Sequence, residues 1–175
     1  MEEAIKAFDE YLESKGLKFE GIVIGGAALI LLHVIDRATK DVDILAPKIP
    51  EDIKKASIDF ATEKGDLNLN PGEWFNHGPY PLKRDLPDGW RDRTVEAYAG
   101  KALFLYTLGR MDLLKIKIYA TCDREIDFDD CLSLKPTIKE LDDCKPWVLT
   151  GDINPNWPER VNEVLGRLKK EVENG

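Results

Sequence analysis

A pair of glycines between an apolar strand and an apolar helix is the feature that most constrains this fold. The stretch from Leu17 to Ile24 reads as a strand and runs directly into Gly25-Gly26. Ala27 to Ile35 is apolar on nearly every side, which predicts a buried helix. Because glycine has no Cβ, backbone N–H groups at this junction can approach a ligand closely, and the site suits phosphate. The alternative is a plain tight turn.

A second strand, predicted over Asp41 to Leu45, carries two acids two positions apart. Alternation places Asp41 and Asp43 on one face and Val42 on the other, in the core. Two carboxylates this close repel one another, and a divalent cation relieves the repulsion. Oxygen ligands favour Mg²⁺ or Mn²⁺. The alternative is a solvated edge strand with two acids on its wet face.

The rest of the chain divides into a mixed first part and a helical last part. The other predicted helices cover residues 2–15, 51–64, 111–120, 124–134, 137–149 and the chain from 156 onward, and the other strands cover 94–98 and 101–106. Residues 65–92 form a long loop in which Trp74, Phe75 and Trp90 are expected to be buried. We therefore predict an α+β fold, with a mixed-sheet core over 1–109 and a helical extension over 110–175 packed on it as a single compact unit.

Charge and hydropathy narrow the classes of partner. The chain has 25 basic and 33 acidic residues, a formal net charge of −8, and so lacks the diffuse positive field of a sequence-independent nucleic-acid binder. The local exception is Lys83-Arg84 with Arg91 and Arg93, which form either a basic groove or an ordinary solvated loop. No apolar run reaches the roughly 20 residues that cross a bilayer. The N-terminal sequence is unlike a signal peptide, and three cysteines without CxxC spacing fit a cytoplasmic protein with free thiols and no membrane partner.

Taken in order, these motifs resemble the signature of the nucleotidyltransferase superfamily, which has the DNA polymerase β-like fold. Fourteen residues separate Gly26 from Asp41, and the acids stand in the segment Arg37-x-Thr39-Lys40-Asp41-Val42-Asp43-Ile44. The resemblance implies that Gly25 and Gly26 hold nucleotide phosphates and that Asp41 and Asp43 are catalytic ligands of Mg²⁺ or Mn²⁺. Thr39 joins the nucleotide-binding residues in this interpretation. The alternative is that it only holds the loop.

Later motifs resemble an uncharacterised branch related to the abortive-infection (Abi) toxins of type IV toxin–antitoxin systems. They are Glu73-Trp74-Phe75-Asn76 and a late run through Lys117 to Arg124, Asp127 and Asp130. This resemblance implies that Lys117 is catalytic and touches the nucleotide, that Asp130 is catalytic, and that an antitoxin is a partner. The alternative is an internal cluster, either Lys–Asp or Arg124–Asp, that joins two helices.

The implied activity is transfer of a nucleoside monophosphate from a nucleoside triphosphate to a hydroxyl of RNA, a protein or a small molecule. A polymerase-type site adds a third carboxylate on a neighbouring strand, and Glu96 is the acid that the sequence places nearest to that position. Without a third acid, a second class of function stays open. The chain would then be a degenerate domain that binds nucleotide or a protein partner without transfer.

Overall fold

A computed structural model describes residues 1–174, and the chain divides into two compact units. The first unit comprises residues 1–84 and 91–108. The second comprises residues 85–90 and the chain from Gly109 onward. The first unit contains the sheet and the second is helical, so the predicted α+β class is confirmed.

The first unit is built from three helices and a five-stranded mixed sheet. Its elements are α1 (Glu2–Ser14), β1 (Phe19–Ile24), α2 (Gly25–Leu31), β2 (Val42–Ala46), α3 (Glu51–Glu63), β3 (Phe75–Asn76), β4 (Val95–Ala99) and β5 (Leu103–Thr107), with 3-10 helices at Gly65–Leu67, Tyr80–Arg84 and Trp90–Arg93. The strand order is β3-β2-β1-β5-β4. Strand β1 is antiparallel to β2 and parallel to β5, β3 is parallel to β2, and β4 is antiparallel to β5.

One sheet face packs on α1 and α3 around an aromatic cluster. The touching rings of Phe8, Phe60, Trp74 and Phe75 have centroids 5.1–5.5 Å apart, and Trp74 is fully buried, as predicted. Ring contacts of this kind stabilise a core beyond the area they bury. The indole N–H of Trp74 donates to the carbonyl of Ser57 at 3.0 Å. The loop that holds Trp74 is therefore fixed to the core.

The strand register defines which residues share the second sheet face. Partners across a ladder point to the same side, and the pairs Ile24–Asp43, Ile22–Ala46 and Ile22–Tyr106 belong to this face. We call this side of the sheet the Asp43 face.

A buried carboxylate joins α1 to the β4–β5 hairpin. Asp9 accepts the backbone N–H groups of residues 101–103 at 2.7–3.1 Å and the hydroxyl of Tyr98 at 3.3 Å. Burial raises the pKa of Asp9, but these hydrogen bonds outweigh burial and hold its pKa below the ordinary value. A Cβ at Gly100 would lie 2.3 Å from the carboxylate, so this turn requires glycine.

The helical unit contains α4 (Arg110–Arg124), α5 (Phe128–Ser133), α6 (Ile138–Val148) and α7 (Trp157–Asn174). A Thr137–Glu140 capping box begins α6, with Glu140 N–H donating to Thr137 Oγ1 at 3.2 Å. Helices α4, α6 and α7 contact one another pairwise and bury Leu113, Leu114, Ile118, Leu141, Val148, Val161, Val164, Leu165 and Leu168. Within residues 1–174, no helix is long and apolar enough to cross a membrane.

The observed helix boundaries differ from the predicted ones by several residues in α2, α4 and α5, and α5 begins at Phe128 rather than at residue 124. Helix α2 begins at the glycines and ends at Leu31, so His33 lies outside it, with φ 54° and an exposed ring 3.3 Å from Glu2. The helix predicted over Ala27 to Ile35 therefore begins two residues earlier and ends four residues earlier than predicted. Helix α4 continues to Arg124 because the chain turns only at Glu125, which has φ 63°.

Candidate nucleotide and metal site

The glycine pair and Asp43 lie side by side because β1 and β2 are antiparallel neighbours. Ile24 ends β1 and pairs with Asp43, so the turn after Ile24 faces the Asp43 carboxylate. A Cβ at Gly25 would lie 2.9 Å from Asp43 Oδ2. Gly25 also has φ 75°, in the left-handed region that favours glycine. Both the backbone conformation and the close approach therefore require glycine at position 25.

The second glycine faces the loop that precedes β2. A Cβ at Gly26 would lie 3.1 Å from Thr39 Oγ1 and 3.9 Å from Arg37 Nη2. The structure therefore brings a hydroxyl and a guanidinium to the same turn, and both groups can donate to phosphate oxygens. Arg37 also lines a cavity of about 790 Å³ between the start of α1 and residues 33–38.

Asn76 fixes the orientation of the Asp43 carboxylate. Strand β3 pairs Asn76 with Asp43, and Asn76 Nδ2 donates to Asp43 Oδ1 at 3.0 Å. The Asn76 side-chain oxygen accepts the Gly78 N–H at 2.8 Å, which settles which end of the amide faces Asp43. With Oδ1 held by Asn76, Oδ2 is the oxygen that faces Gly25. Sequence reasoning gave Asn76 no role, although the Glu73–Asn76 motif was the signal that could have found it.

The donor set fits a cation that arrives with phosphate. Asp43 is half-buried, whereas Asp41 precedes β2 and is exposed. Among residues 1–174, no group of three His, Cys, Asp or Glu side chains is arranged to hold a metal ion. Mg²⁺ is commonly bound through one or two carboxylates together with substrate phosphates, and Asp43, oriented by Asn76, is a carboxylate of the kind that such an arrangement uses. Neither carboxylate lines either of the cavities of about 530 and 790 Å³ in this unit.

Glu96 shares the Asp43 face but lies far from Asp43. It pairs with Tyr106 on the outermost strand, β4, and β5 and β1 separate that strand from β2. Three strand spacings amount to roughly 14 Å, beyond the reach of a shared metal ion. Strand β5, which adjoins β1, presents Phe104 and Tyr106 to this face. The two candidate metal ligands and Glu96 are therefore not brought together.

Lys117, Asp127 and Asp130 form a buried ion cluster within the helical unit. Lys117 Nζ donates to Asp127 Oδ1 at 2.7 Å and to Asp130 Oδ2 at 2.6 Å, and all three residues are at most 7% exposed. The cluster connects α4 to the start of α5. The structure thus brings Lys117 and Asp130 together, in the arrangement that sequence reasoning described as a cluster joining two helices.

The cysteines and His77 are accounted for by local structure. Cys122, Cys131 and Cys144 are buried free thiols, and burial raises their pKa values to about 11, 12 and 11. Such thiols stay protonated at neutral pH and are poor nucleophiles. His77 accepts the Ile49 N–H through Nδ1 at 3.3 Å, which attaches its loop to the segment after β2.

A glycine turn that follows a central strand of a mixed sheet and faces an aspartate on the antiparallel neighbour is the arrangement that the resemblance to nucleotidyltransferases implies. Residues 2–142 match the family described as "Nucleotidyltransferase of unknown function (DUF6036)". The chain belongs to this family, and the superfamily predicted from the sequence is confirmed. No curated protein and no solved structure matches the chain significantly.

Proposed function

We propose that the chain binds a nucleoside triphosphate with Mg²⁺ or Mn²⁺ at the glycine turn and transfers a nucleoside monophosphate to a hydroxyl acceptor. The approach of Gly25 to Asp43 Oδ2 is the observation that supports this most directly. The missing Cβ lets the backbone of the turn and the oriented carboxylate lie side by side. A phosphate and its cation would have to meet at this junction. Membership of a nucleotidyltransferase family supports the same reaction class.

Each residue of the site takes a defined role in this proposal. Backbone N–H groups of Gly25 and Gly26 and the hydroxyl of Thr39 bind phosphate oxygens. Asp43 and Asp41 hold the cation, which when bound neutralises triphosphate charge and polarises the α-phosphate. Asn76 acts as a positioning residue, because its hydrogen bond leaves Asp43 Oδ2 directed at the turn.

The reaction is a displacement at phosphorus. The acceptor oxygen forms a bond to the α-phosphorus, the bond from that phosphorus to the bridging oxygen breaks, and pyrophosphate leaves. The proton of the acceptor hydroxyl passes to solvent. Catalysis in this class depends mostly on positioning and charge stabilisation, which the glycine turn and Asp43 would supply. Lys117 and Asp130 take no step in this proposal, because their charges satisfy one another.

A second function is favoured by one observation. The described residues place no third carboxylate beside Asp43, and the nearest acid proposed from sequence, Glu96, is three strands away. A polymerase-type site uses such an acid as a metal ligand and base. In the second function, the same turn and carboxylates bind nucleotide without turnover, as a sensing or protein-interaction domain.

One experiment separates the two functions. Thermal stability and pyrophosphate release are measured with Mg²⁺ and each nucleoside triphosphate, in the presence of RNA, protein or small hydroxyl acceptors. Asp43→Asn removes the oriented charge, and Asp59→Asn, on the exposed face of α3, is the matched control. Binding with release that Asp43→Asn abolishes supports transfer, and binding without release supports the second function. Unchanged Mg²⁺-dependent binding in Asp43→Asn rejects the site.

We also propose that the chain is the toxin of a toxin–antitoxin pair, with an antitoxin protein as partner. The support is the resemblance of the Glu73–Asn76 segment and of the Lys117–Asp130 run to the Abi-type branch. Expression of the wild-type chain should arrest growth, and expression of Asp43→Asn should not. Normal growth with both proteins at equal levels would reject the toxin role.

A further inference from the structure

A cavity with basic residues in its lining opens on the Asp43 face. Its volume of about 530 Å³ lies within the range of small-molecule sites. The sheet supplies Ile22, Ala46 and Tyr106, and the loop after β3 supplies Tyr80 and Lys83. The other lining residues are Glu20, Gly21, Pro47, Arg91 and Thr94. The basic loop identified from the sequence is therefore partly the wall of a cavity.

Two ammonium groups converge on one tyrosine at this wall. Lys83 Nζ lies 3.5 Å and Lys48 Nζ lies 5.3 Å from the centroid of the Tyr80 ring. A hydrogen bond from Lys83, with the charges of Lys83, Lys48 and Arg84, lowers the pKa of the Tyr80 hydroxyl. The chain as a whole is acidic, with a net charge of −8, so this local positive field is a specific feature of the cavity.

Hydrogen bonds hold the basic loop next to the proposed site. The Gly78 N–H donates to Asn76, the same side chain that donates to Asp43. The Ile49 N–H donates to His77 at the other side of the loop. Ala46, in the cavity lining, is three residues from Asp43 along β2, which corresponds to roughly 10 Å.

We propose that this cavity binds the acceptor, and that the acceptor is a small phosphorylated compound with a free hydroxyl. This inference rests on the proposed function and names the substrate class of the same site. Lysine ammonium groups bind phosphate as point charges, and arginine binds it bidentately. Lys83 and Arg91 of the lining, with Lys48 beside the Tyr80 ring, therefore suit one phosphomonoester. The rings of Tyr80 and Tyr106 offer flat surfaces for the carbon skeleton.

The dimensions agree with this acceptor. With its phosphate at the Lys83 wall, a molecule of sugar-phosphate size can direct a hydroxyl along the sheet towards Asp43, which is roughly 10 Å from Ala46 in the cavity lining. That hydroxyl oxygen forms the bond to the α-phosphorus of the bound triphosphate while pyrophosphate leaves, and its proton passes to solvent. The product is a phosphodiester that still carries the original phosphate group of the acceptor.

Ribose 5-phosphate is the probe, titrated calorimetrically into the full chain without triphosphate or metal. Lys48→Gln/Lys83→Gln should weaken its binding at least about tenfold, because charge-assisted hydrogen bonds to phosphate are lost. Lys54→Gln/Lys55→Gln removes the same amount of positive charge from the exposed face of α3 and should leave binding unchanged. Ribose, which lacks the phosphate, should not bind measurably. All of these lysines are away from the core, so folding is checked by circular dichroism alone.

The possible results are distinguishable from those of the triphosphate test. Binding of ribose 5-phosphate that depends on Lys48 and Lys83 supports the inference, and this result is obtained independently of whether the wild-type chain binds a triphosphate. No binding, or equal losses in both double variants, overturns it without affecting the triphosphate site. A 5′-phosphorylated oligoribonucleotide that binds more than about a hundredfold tighter than the sugar phosphate, and through the same lysines, overturns the small-molecule class in favour of RNA.

Discussion

Replacing Lys117 by methionine should destabilise the helical unit severely. Lys117 is 5% exposed and donates to two carboxylates that are 7% and 3% exposed, so its removal leaves Asp127 and Asp130 buried without their shared cation. Removing one partner of a buried ion pair costs about 3–5 kcal/mol in the free energy of unfolding. Urea denaturation followed by far-ultraviolet circular dichroism measures this loss.

Lys139→Met is the matched control. Lys139 donates to Asp143 at 2.6 Å, the same length as the bond from Lys117 to Asp130, but its side chain is 83% exposed. An exposed helical pair of this spacing contributes about 0.3–0.5 kcal/mol. The two variants should therefore differ roughly tenfold in the free energy of unfolding that they lose, and burial rather than bond length should account for the difference.

Triphosphate binding by Lys117→Met separates the structural role of the lysine from the nucleotide role that the sequence resemblance implies. If Lys117→Met costs no more than Lys139→Met yet abolishes triphosphate binding, the lysine serves the nucleotide and the structural assignment is refuted.

Three further outcomes follow from the first unit. Gly100→Ala should lower the free energy of unfolding by about 1–3 kcal/mol, because its Cβ would lie 2.3 Å from the Asp9 carboxylate. Gly65→Ala, whose Cβ would have no atom within 4 Å, should change the free energy of unfolding by less than about 0.5 kcal/mol. Equal losses in the two variants would refute this packing. Because the folded pKa of Asp9 is lowered, its stabilisation is present above the unfolded pKa of about 3.9 and is lost as pH falls through the folded value. The free energies of unfolding of wild type and Asp9→Asn should therefore converge below about pH 4. A difference between them that widens there would contradict this role of Asp9. Asn76→Leu should weaken Mg²⁺–triphosphate binding about tenfold, because Asp43 loses the hydrogen bond that orients it, and calorimetry that finds the variant equal to wild type would remove the positioning role.

The local part of the site could be predicted from the sequence because it depends on neighbouring residues. A strand that ends in two glycines fixes the turn, and the alternation in Val42-Asp43-Ile44 fixes which side chain leaves the core. The antiparallel pairing of β1 with β2 then brings Asp43 to Gly25. The capping box at Thr137 was predictable for the same reason, since its two hydrogen bonds span three residues.

What the sequence could not supply depends on strand order and on long-range packing. Asn76 reaches Asp43 only because a strand of two residues pairs with β2, and two residues show no periodicity. Glu96 is on a predicted strand, but the order β3-β2-β1-β5-β4 puts that strand at the far edge. Lys83 and Tyr80 form a cavity wall because hydrogen bonds at His77 and Gly78 attach their loop to Ile49 and Asn76. No local sequence pattern encodes these contacts.

The most direct test of the account locates the cation. Backbone amide signals of the ¹⁵N-labelled chain are recorded while Mn²⁺ is added with a nonhydrolysable nucleoside triphosphate analogue. The account predicts that Gly25, Gly26 and Asp43 broaden first, only when both Mn²⁺ and the analogue are present, and that Asp43→Asn suppresses the effect. Broadening that centres on another part of the chain, or that persists unchanged in Asp43→Asn, would contradict a nucleotide site at the glycine turn.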